Sequence, residues 1–368
     1  MKHYVVNGGG MVGAAAALAL ARAGQQVTLI DSNSLVEPEP DWDLRISSVN
    51  DNHWQWLLSL GIGDSINWQK VNPYEGLSVT TVRGSSLTFS AQDAGRQQLG
   101  VMVENNNLQA ALWQCLSGYA NVSLRAPAAI ECFDLQQQRL RLNDDSWLSY
   151  DVLIGADGSG SAVARAAGIG YRGWDYGQRC LLANVELQQP IEAQTWEIFR
   201  PQGPFALLPL SSYQACLIDY RSHAEISAIS QHKEQLVKAL EQTFRPYVGD
   251  FEVHRYASFP LQRKHALNYY RDNTLLMGDA AHSIHPLAGQ GVNLGFADVR
   301  TYLAVDGDNC RYQRQRQRQN QTMMRTMDAI HVGFTARSRL LQSGLGVALK
   351  LVNQAALKKQ ILRQALQA

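Results

Sequence analysis

Asp279 stands directly after a short apolar run, Thr274 to Met277, and Gly278. A carboxylate at the C-terminal end of a strand can accept hydrogen bonds from the hydroxyls of a bound ligand. Next come His282, His285 and Pro286, and then Gly289, Gly291, Val292 and Asn293. Proline and glycines here let a backbone approach a flat ligand closely. A helical pattern resumes near Asn293, with Leu294 and Ala297 inward and Asp298 outward. The start of that helix would aim free N–H groups and a partial positive charge at the ligand. Such an end stabilises a planar ring carrying negative charge, as a reduced flavin does on its pyrimidine edge. The same residues also read as a plain glycine-rich turn, but that leaves so many coinciding requirements unexplained.

A second set of glycines lies near residue 10. Lys2 to Val6 reads as a buried strand that runs into Gly8, Gly9, Gly10, Met11, Val12 and Gly13, a GxGxxG. An alanine-rich helix follows to about Ala23, then a strand, Gln26 to Ile30, that ends on Asp31. Glycines for a tight turn, a helix start for a diphosphate and an acid about twenty residues on for ribose hydroxyls make a dinucleotide fingerprint. This pattern does not by itself separate FAD from NAD. Asn7 replaces the usual apolar residue before the glycines, and a buried amide there needs a partner.

The stretch GDAAHSIHPLAGQGVNLG resembles the second flavin-binding motif of the single-component FAD-dependent aromatic hydroxylases, the fold group of p-hydroxybenzoate hydroxylase. Within that group it is most similar to the ubiquinone-biosynthesis hydroxylases. The segments MVENNNLQAALWQ, FPLQRKHAL and LKKQILRQAL are most like the branch that acts on a demethoxy-ubiquinol ring. The resemblance spans nearly the whole chain. It implies FAD as cofactor, NADPH or NADH as co-substrate, and a prenylated quinol and O2 as substrates. Oxygen would be delivered to the ring from a flavin C4a-hydroperoxide.

By position in the family, Arg45 in DLRIS reaches the flavin, although it also reads as a surface arginine at a helix start. Asn105 contacts the flavin side, yet Asn105 to Asn107 equally suit simple helix caps. Asp157 in GADGSGS matches a motif that serves both FAD and the nicotinamide cofactor. The family's arginine seven positions later is replaced by Ala164, with Arg165 next to it. One residue along a helix turns a side chain by about a hundred degrees, so the nicotinamide contact of that arginine is in question. No catalytic acid or base stands out. His282, His285 and Pro286 are candidates beside the ring, and a structural role suits the histidines equally well.

The implied fold class is α/β: a Rossmann-like FAD-binding domain of the p-hydroxybenzoate hydroxylase type, an inserted and mainly antiparallel substrate sheet, and a C-terminal helical region. The expected boundaries are 1–72, 100–175 and 266–310 for the FAD-binding part, 73–99 and 176–265 for the substrate part, and 311–368 for the helical region. Strands are expected at Leu77–Val82, Ser86–Ser90, Cys180–Leu187, Thr195–Arg200, Phe205–Leu210, Gln214–Tyr220 and Phe251–Phe259, with one helix from Ala224 to Phe244. Trp196, Phe199, Phe205, Leu207 and Tyr220 are candidates to line an aromatic pocket, and each also reads as ordinary core. Trp54, Trp56, Leu57 and Leu60 read as a core helix face.

With 368 residues and 45% hydrophobic content the chain can bury a large core. No apolar run approaches the length of a membrane span. The chain opens directly on a strand, without a secretory pattern, and its five cysteines show no metal-like spacing. A cytoplasmic protein with reduced thiols and no metal is expected. Net charge is +1, but residues 309–368 hold eleven Lys/Arg and one acid, Asp328, so that segment carries +10 and the rest −9. A solvated face is the reading for Arg311, Arg314, Arg316 and Arg318; nucleic-acid binding is disfavoured, since the stretch has Tyr312 as its one aromatic and no recognised module. Leu345, Leu349, Val352, Leu357 and Ile361 with Lys350, Lys358, Lys359 and Arg363 suit a basic amphipathic helix. Such a helix can lie on anionic lipid or pack on its own protein. Peripheral contact with the inner membrane or with partner proteins, and a homo-oligomer, are therefore compatible with the sequence. So are two other functions: a flavin reductase or oxidase on this fold, and a flavin-binding scaffold without turnover.

Overall fold

The strand His3–Asn7 pairs in parallel with Gln26–Ile30 on one side and Val152–Gly155 on the other. Thr274–Leu276 and Val122–Arg125 extend this sheet in parallel, and Tyr270–Arg271 closes one edge antiparallel. Its central strands are apolar on both faces, as a parallel sheet covered on both sides requires. The computed structural model describes residues 1–35, 42–81, 86–284, 289 and 291–335.

The helix Met11–Arg22 is buried from Gly13 to Ala21. Its alanines allow close packing against the helices Asn105–Ser117 and Gly291–Ala304. Trp54, Leu57 and Leu60 are buried in the same core, and Trp56 packs beside Phe296.

Above this layer lies an eight-stranded sheet, ordered His282–Ser283, Phe251–Ala266, Tyr171–Leu187, Gln214–Ser222, Phe205–Pro209, Gln194–Phe199, Gly76–Thr81 and Ser86–Ser90. Every pairing is antiparallel except that of Gln194–Phe199 with Gly76–Thr81. We call it the roof sheet. The two long strands run across the expected boundaries at 175 and 265, so both reach down to the parallel sheet. A small sheet of Ile46–Asn50, Gly100–Glu104 and Val71–Tyr74 bridges the two layers.

The expected single helix behind the roof is two, His223–Ile229 and Lys233–Val248. Ser222 and Glu225 cap the first reciprocally, and it ends at Ser230. The polar Ser230, Gln231 and His232 favour turn and cap geometry over a helix interior. The second buries Leu236, Leu240 and Phe244 against the back of the roof.

After Gly291–Ala304, a long helix, Asn309–Thr335, crosses the parallel sheet's edge. Its solvated arginine face is a partial misreading: Arg316 is only 2% exposed, and Asp298, expected outward, is fully buried. The two meet each other, so each supplies the charge that the other's burial demands. The amphipathic segment from Gly344 lies outside the described residues, as do His285 and Pro286.

Candidate functional site: one cavity under the roof sheet

A cavity of about 880 Å³ runs between the parallel sheet and the roof. That is toward the upper end for small-molecule sites. Of the residues expected to bind the cofactor, Gly8, Gly10, Met11, Val12, Asp31, Arg45, Asn105, Asp157, Asp279, Gly289, Gly291 and Val292 all border it. Gly13, Gly278 and Asn293 do not.

The fingerprint turn shows why its glycines are where they are. Gly8 has φ of +104°, and a Cβ there would lie 2.4 Å from the Ala156 carbonyl oxygen. A Cβ on Gly13 would fall 1.9 Å from the Gly8 carbonyl oxygen. Gly13 thus serves close helix–strand packing, which is why it stays out of the cavity. Gly10, the N-cap of the helix, has open space where its Cβ would be.

Asp31 Oδ2 accepts from the Gly9 amide at 2.6 Å, and Oδ1 from the Asn33 amide at 2.8 Å. Gln109 and Trp113 both donate to the Gly9 carbonyl, at 2.8 and 2.7 Å. Neither was foreseen, because a helix side chain reaching a turn a hundred residues away leaves no local sequence signal.

Asn7 finds its partner in Asp157: the amide donates to Oδ2 at 3.1 Å, and the Ala162 amide donates to the same oxygen at 2.7 Å. Oδ1 of Asp157 is buried without a hydrogen-bond partner among the described residues. Ala164 is fully buried in the core, whereas Arg165 is exposed and donates to the Gly160 carbonyl at 2.7 Å.

Arg45 is exposed toward the cavity, and its carbonyl accepts from the Asn105 amide at 2.9 Å. Ser47 donates to Asn105 Oδ1 at 2.6 Å. The loop before Arg45 is held from two sides. Glu104, paired with Lys70 at 3.0 Å, accepts from the Asp43 amide, and Asn184 of the roof donates to the Trp42 and Asp43 carbonyls.

Asp279 is exposed at the cavity, with protein packed around its carboxyl. Its carboxyl is raised above the usual range by burial, with His282 acting the opposite way and Asp298 adding to the rise. Asn293 is a clamp: Nδ2 donates to the Ser48 and Gly289 carbonyls at 2.8 and 3.2 Å, and Oδ1 accepts from the Asn50 amide at 2.9 Å. The Gly278 amide donates to Asp298 at 2.9 Å, and His282 Nε2 lies 2.6 Å from the same Oδ2. His282 is buried against Asp298 and does not border the cavity, which suits the structural one of its two readings.

The roof divides the aromatic candidates. Trp196, Phe205 and Leu207 pack their side chains behind it, the two rings against Phe244, while Trp196 also borders the cavity. Tyr220 faces the cavity beside Cys180, Leu182, Ala206, Leu208 and Ile218, which alternate with the residues packed behind. Glu197 joins them and carried no signal of its own in the sequence. Phe259, 41% exposed, stands on the cavity's rim.

The family model described as an FAD binding domain matches residues 3–304. The chain belongs to this FAD-dependent monooxygenase family. The flavoprotein is 36% identical to the 3-demethoxyubiquinol 3-hydroxylase of Escherichia coli K12, over 99% of this chain and 98% of that one. It is 30% identical to the mitochondrial ubiquinone biosynthesis monooxygenase COQ6 of Rattus norvegicus, over 89% and 82% of the two chains. Its fold matches that of p-nitrophenol 4-monooxygenase from Pseudomonas putida DLL-E4 with a TM-score of 0.81, at 16% identity, covering 100% and 99% of the chains. The cavity fits the cofactor: Gly10 is open, Asp157 keeps a free buried oxygen, and two helices begin at the cavity's edge.

Proposed function

We propose that this flavoprotein hydroxylates the ring of a prenylated benzoquinol intermediate in ubiquinone biosynthesis, with O2 and NADPH or NADH as co-substrates. The observation that carries the reading is the continuity of the cavity, which runs from the fingerprint glycines to the apolar underside of the roof. The name of the Escherichia coli relative, matched over nearly its full length, supports the demethoxy-ubiquinol ring as the acceptor.

Bound FAD supplies the redox and oxygen-activating chemistry. The chain's own residues hold it. Asp31 would take the adenosine ribose hydroxyls, and Gly8, Gly10 and the helix start at Met11 and Val12 would take the diphosphate. Asp279 would take the ribityl hydroxyls, and Gly289 would let the ring approach the backbone. The helix start at Gly291 and Val292 would hold the pyrimidine edge, and Arg45, Asn105 and Asp157 would contact the cofactor. Gly13, Gly278 and Asn293 support these groups from behind. The roof would exclude water from the ring.

In this reading residues 1–72, 100–175 and 266–310 form the flavin unit, 73–99 and 176–265 the substrate unit, and 311–368 a helical region that serves peripheral contact with the inner membrane or partner proteins. Among the described residues no helix is long and apolar enough to cross a membrane. The two departures that would favour an inactive scaffold are both accommodated, Asn7 by Asp157 and Ala164 by the core.

NAD(P)H oxidation by the FAD-loaded enzyme, with and without a short-chain quinol or phenol, tests the proposal. Oxidation should rise with the ring compound, and mass spectrometry should find product with one added oxygen. Oxidation that ignores the ring, with unchanged ring compound, overturns it in favour of a reductase or oxidase.

A further inference from the structure

The cavity side of the roof is apolar except at a few points. Leu182, Ala206, Leu208 and Ile218 form most of its surface. Thr195 is committed, donating to the Leu207 carbonyl at 2.8 Å. Glu197 is the one carboxylate that the roof strands present to the cavity among the described residues, and it is only 5% exposed. On the same face of the roof, two and three strands away, Tyr220 and Cys180 interact with each other. Burial pushes the Tyr220 hydroxyl and the Cys180 thiol well up.

An ionised carboxylate only accepts hydrogen bonds. A benzoquinol or phenol ring is flat and apolar apart from its O–H donors and ether oxygens. Small-molecule sites orient such ligands with a few placed polar groups in an apolar wall. We infer that Glu197 is the subsite for a ring hydroxyl of the substrate, and that during the reaction it takes the proton of that hydroxyl.

The step balances simply. The ring O–H bond breaks, a carboxyl O–H bond forms on Glu197, and the electron pair stays on the ring oxygen. The ring becomes more electron-rich at the positions ortho and para to that oxygen, where an electrophilic oxygen atom attacks. The attacked carbon later releases its hydrogen as a proton, and Glu197 returns its own proton to the ring oxygen. O2 and the nicotinamide reductant are those of the proposed reaction, on which this inference rests.

The test uses full-length, FAD-loaded enzyme and a methoxyphenol with a short prenyl chain, compared with its O-methyl ether. Wild type should bind the phenol roughly 10- to 100-fold more tightly than the ether, the range of one charge-assisted hydrogen bond. In Glu197→Ala that preference should collapse toward unity with FAD content unchanged. In the near-isosteric Glu197→Gln, kcat should fall more than KM changes, and the acid limb of the pH profile should disappear. Glu197→Asp should restore part of both. A phenol preference that survives in Glu197→Ala, or a wild-type pH profile in Glu197→Gln, overturns the assignment. If the alanine variant does not fold, the glutamine variant decides alone. If wild type itself shows no ring-dependent NAD(P)H oxidation, it is the hydroxylase reading that fails.

Discussion

Nε of Arg316 donates to Oδ1 of Asp298 across 2.7 Å, and neither side chain reaches solvent. The guanidinium also donates to the Leu294 carbonyl at 3.1 Å and to Asn320 Oδ1 at 2.7 Å. The other oxygen of Asp298 takes the Gly278 amide and lies against His282. One carboxylate therefore ties the long helix Asn309–Thr335 to the turn that carries Asp279. Burial alone would push the Asp298 carboxyl up, yet His282 and Arg316 hold it down to about 2.

Removing one partner of such a pair leaves an uncompensated buried charge. Arg316→Met should lose about 3–5 kcal/mol of stability in urea unfolding. It should also loosen FAD, because the Gly278–Asp279 turn shares the orphaned carboxylate. A variant as stable as wild type would show that the pair contributes nothing net.

Asp279→Ala should purify largely without flavin. A lost charge-assisted hydrogen bond of about 1.5–3 kcal/mol weakens FAD roughly 10- to 150-fold. Asp31→Ala should weaken it less, since Asp31 acts at the adenosine end, far from the ring. Flavin fluorescence titration separates the two, and a yellow Asp279→Ala enzyme with full flavin content contradicts its placement at the ribityl chain.

Placing an arginine at position 164, as the resemblance would suggest, should not create a nicotinamide contact. Ala164 is sealed in the core, so Ala164→Arg buries an unpaired charge and should be poorly soluble or strongly destabilised. Arg165→Ala, on the exposed side, should fold normally and slow flavin reduction in stopped-flow experiments. Faster reduction by a stable Ala164→Arg enzyme would reverse this view.

Acid should destabilise the protein in two stages. Burial, His282 and Arg263 lower the His265 pKa from 6.5 to about 4. The unfolded chain therefore takes up that proton first, and stability present above pH 6.5 drains away as pH falls toward 4. Asp298 adds a second loss between pH 3.8 and about 2, for the same reason. Thermal unfolding across pH 4–7 should show the first slope, and His265→Asn should flatten it.

The basic C-terminal segment should matter to a substrate dissolved in a bilayer. Changing Lys350, Lys358, Lys359 and Arg363 to glutamine should reduce binding to anionic liposomes, at about 1 kcal/mol for each well-placed cation. FAD content and turnover of a short-chain ring compound should survive. Unchanged liposome binding and unchanged long-chain turnover would leave the segment a packing element or a protein contact.

Local chemistry determined much of this protein in advance. A glycine turn between a strand and a helix, with an acid at the next strand's end, can do little but bind a dinucleotide, because each requirement is met by neighbouring residues. The same holds for Gly278–Asp279 and the helix start after it. Alternating apolar runs likewise made the roof legible as a sheet, though not which face meets the cavity. That was decided by the helix Lys233–Val248 behind it, which claims Trp196 and Phe205 and leaves Glu197 and Tyr220 in front. Arg316 and Asp298 are the sharpest case. Each is a charged residue on a helix, and by local pattern both belong in water. Only the crossing of two helices brings them within 2.7 Å, and a charge can be buried when its partner arrives with it.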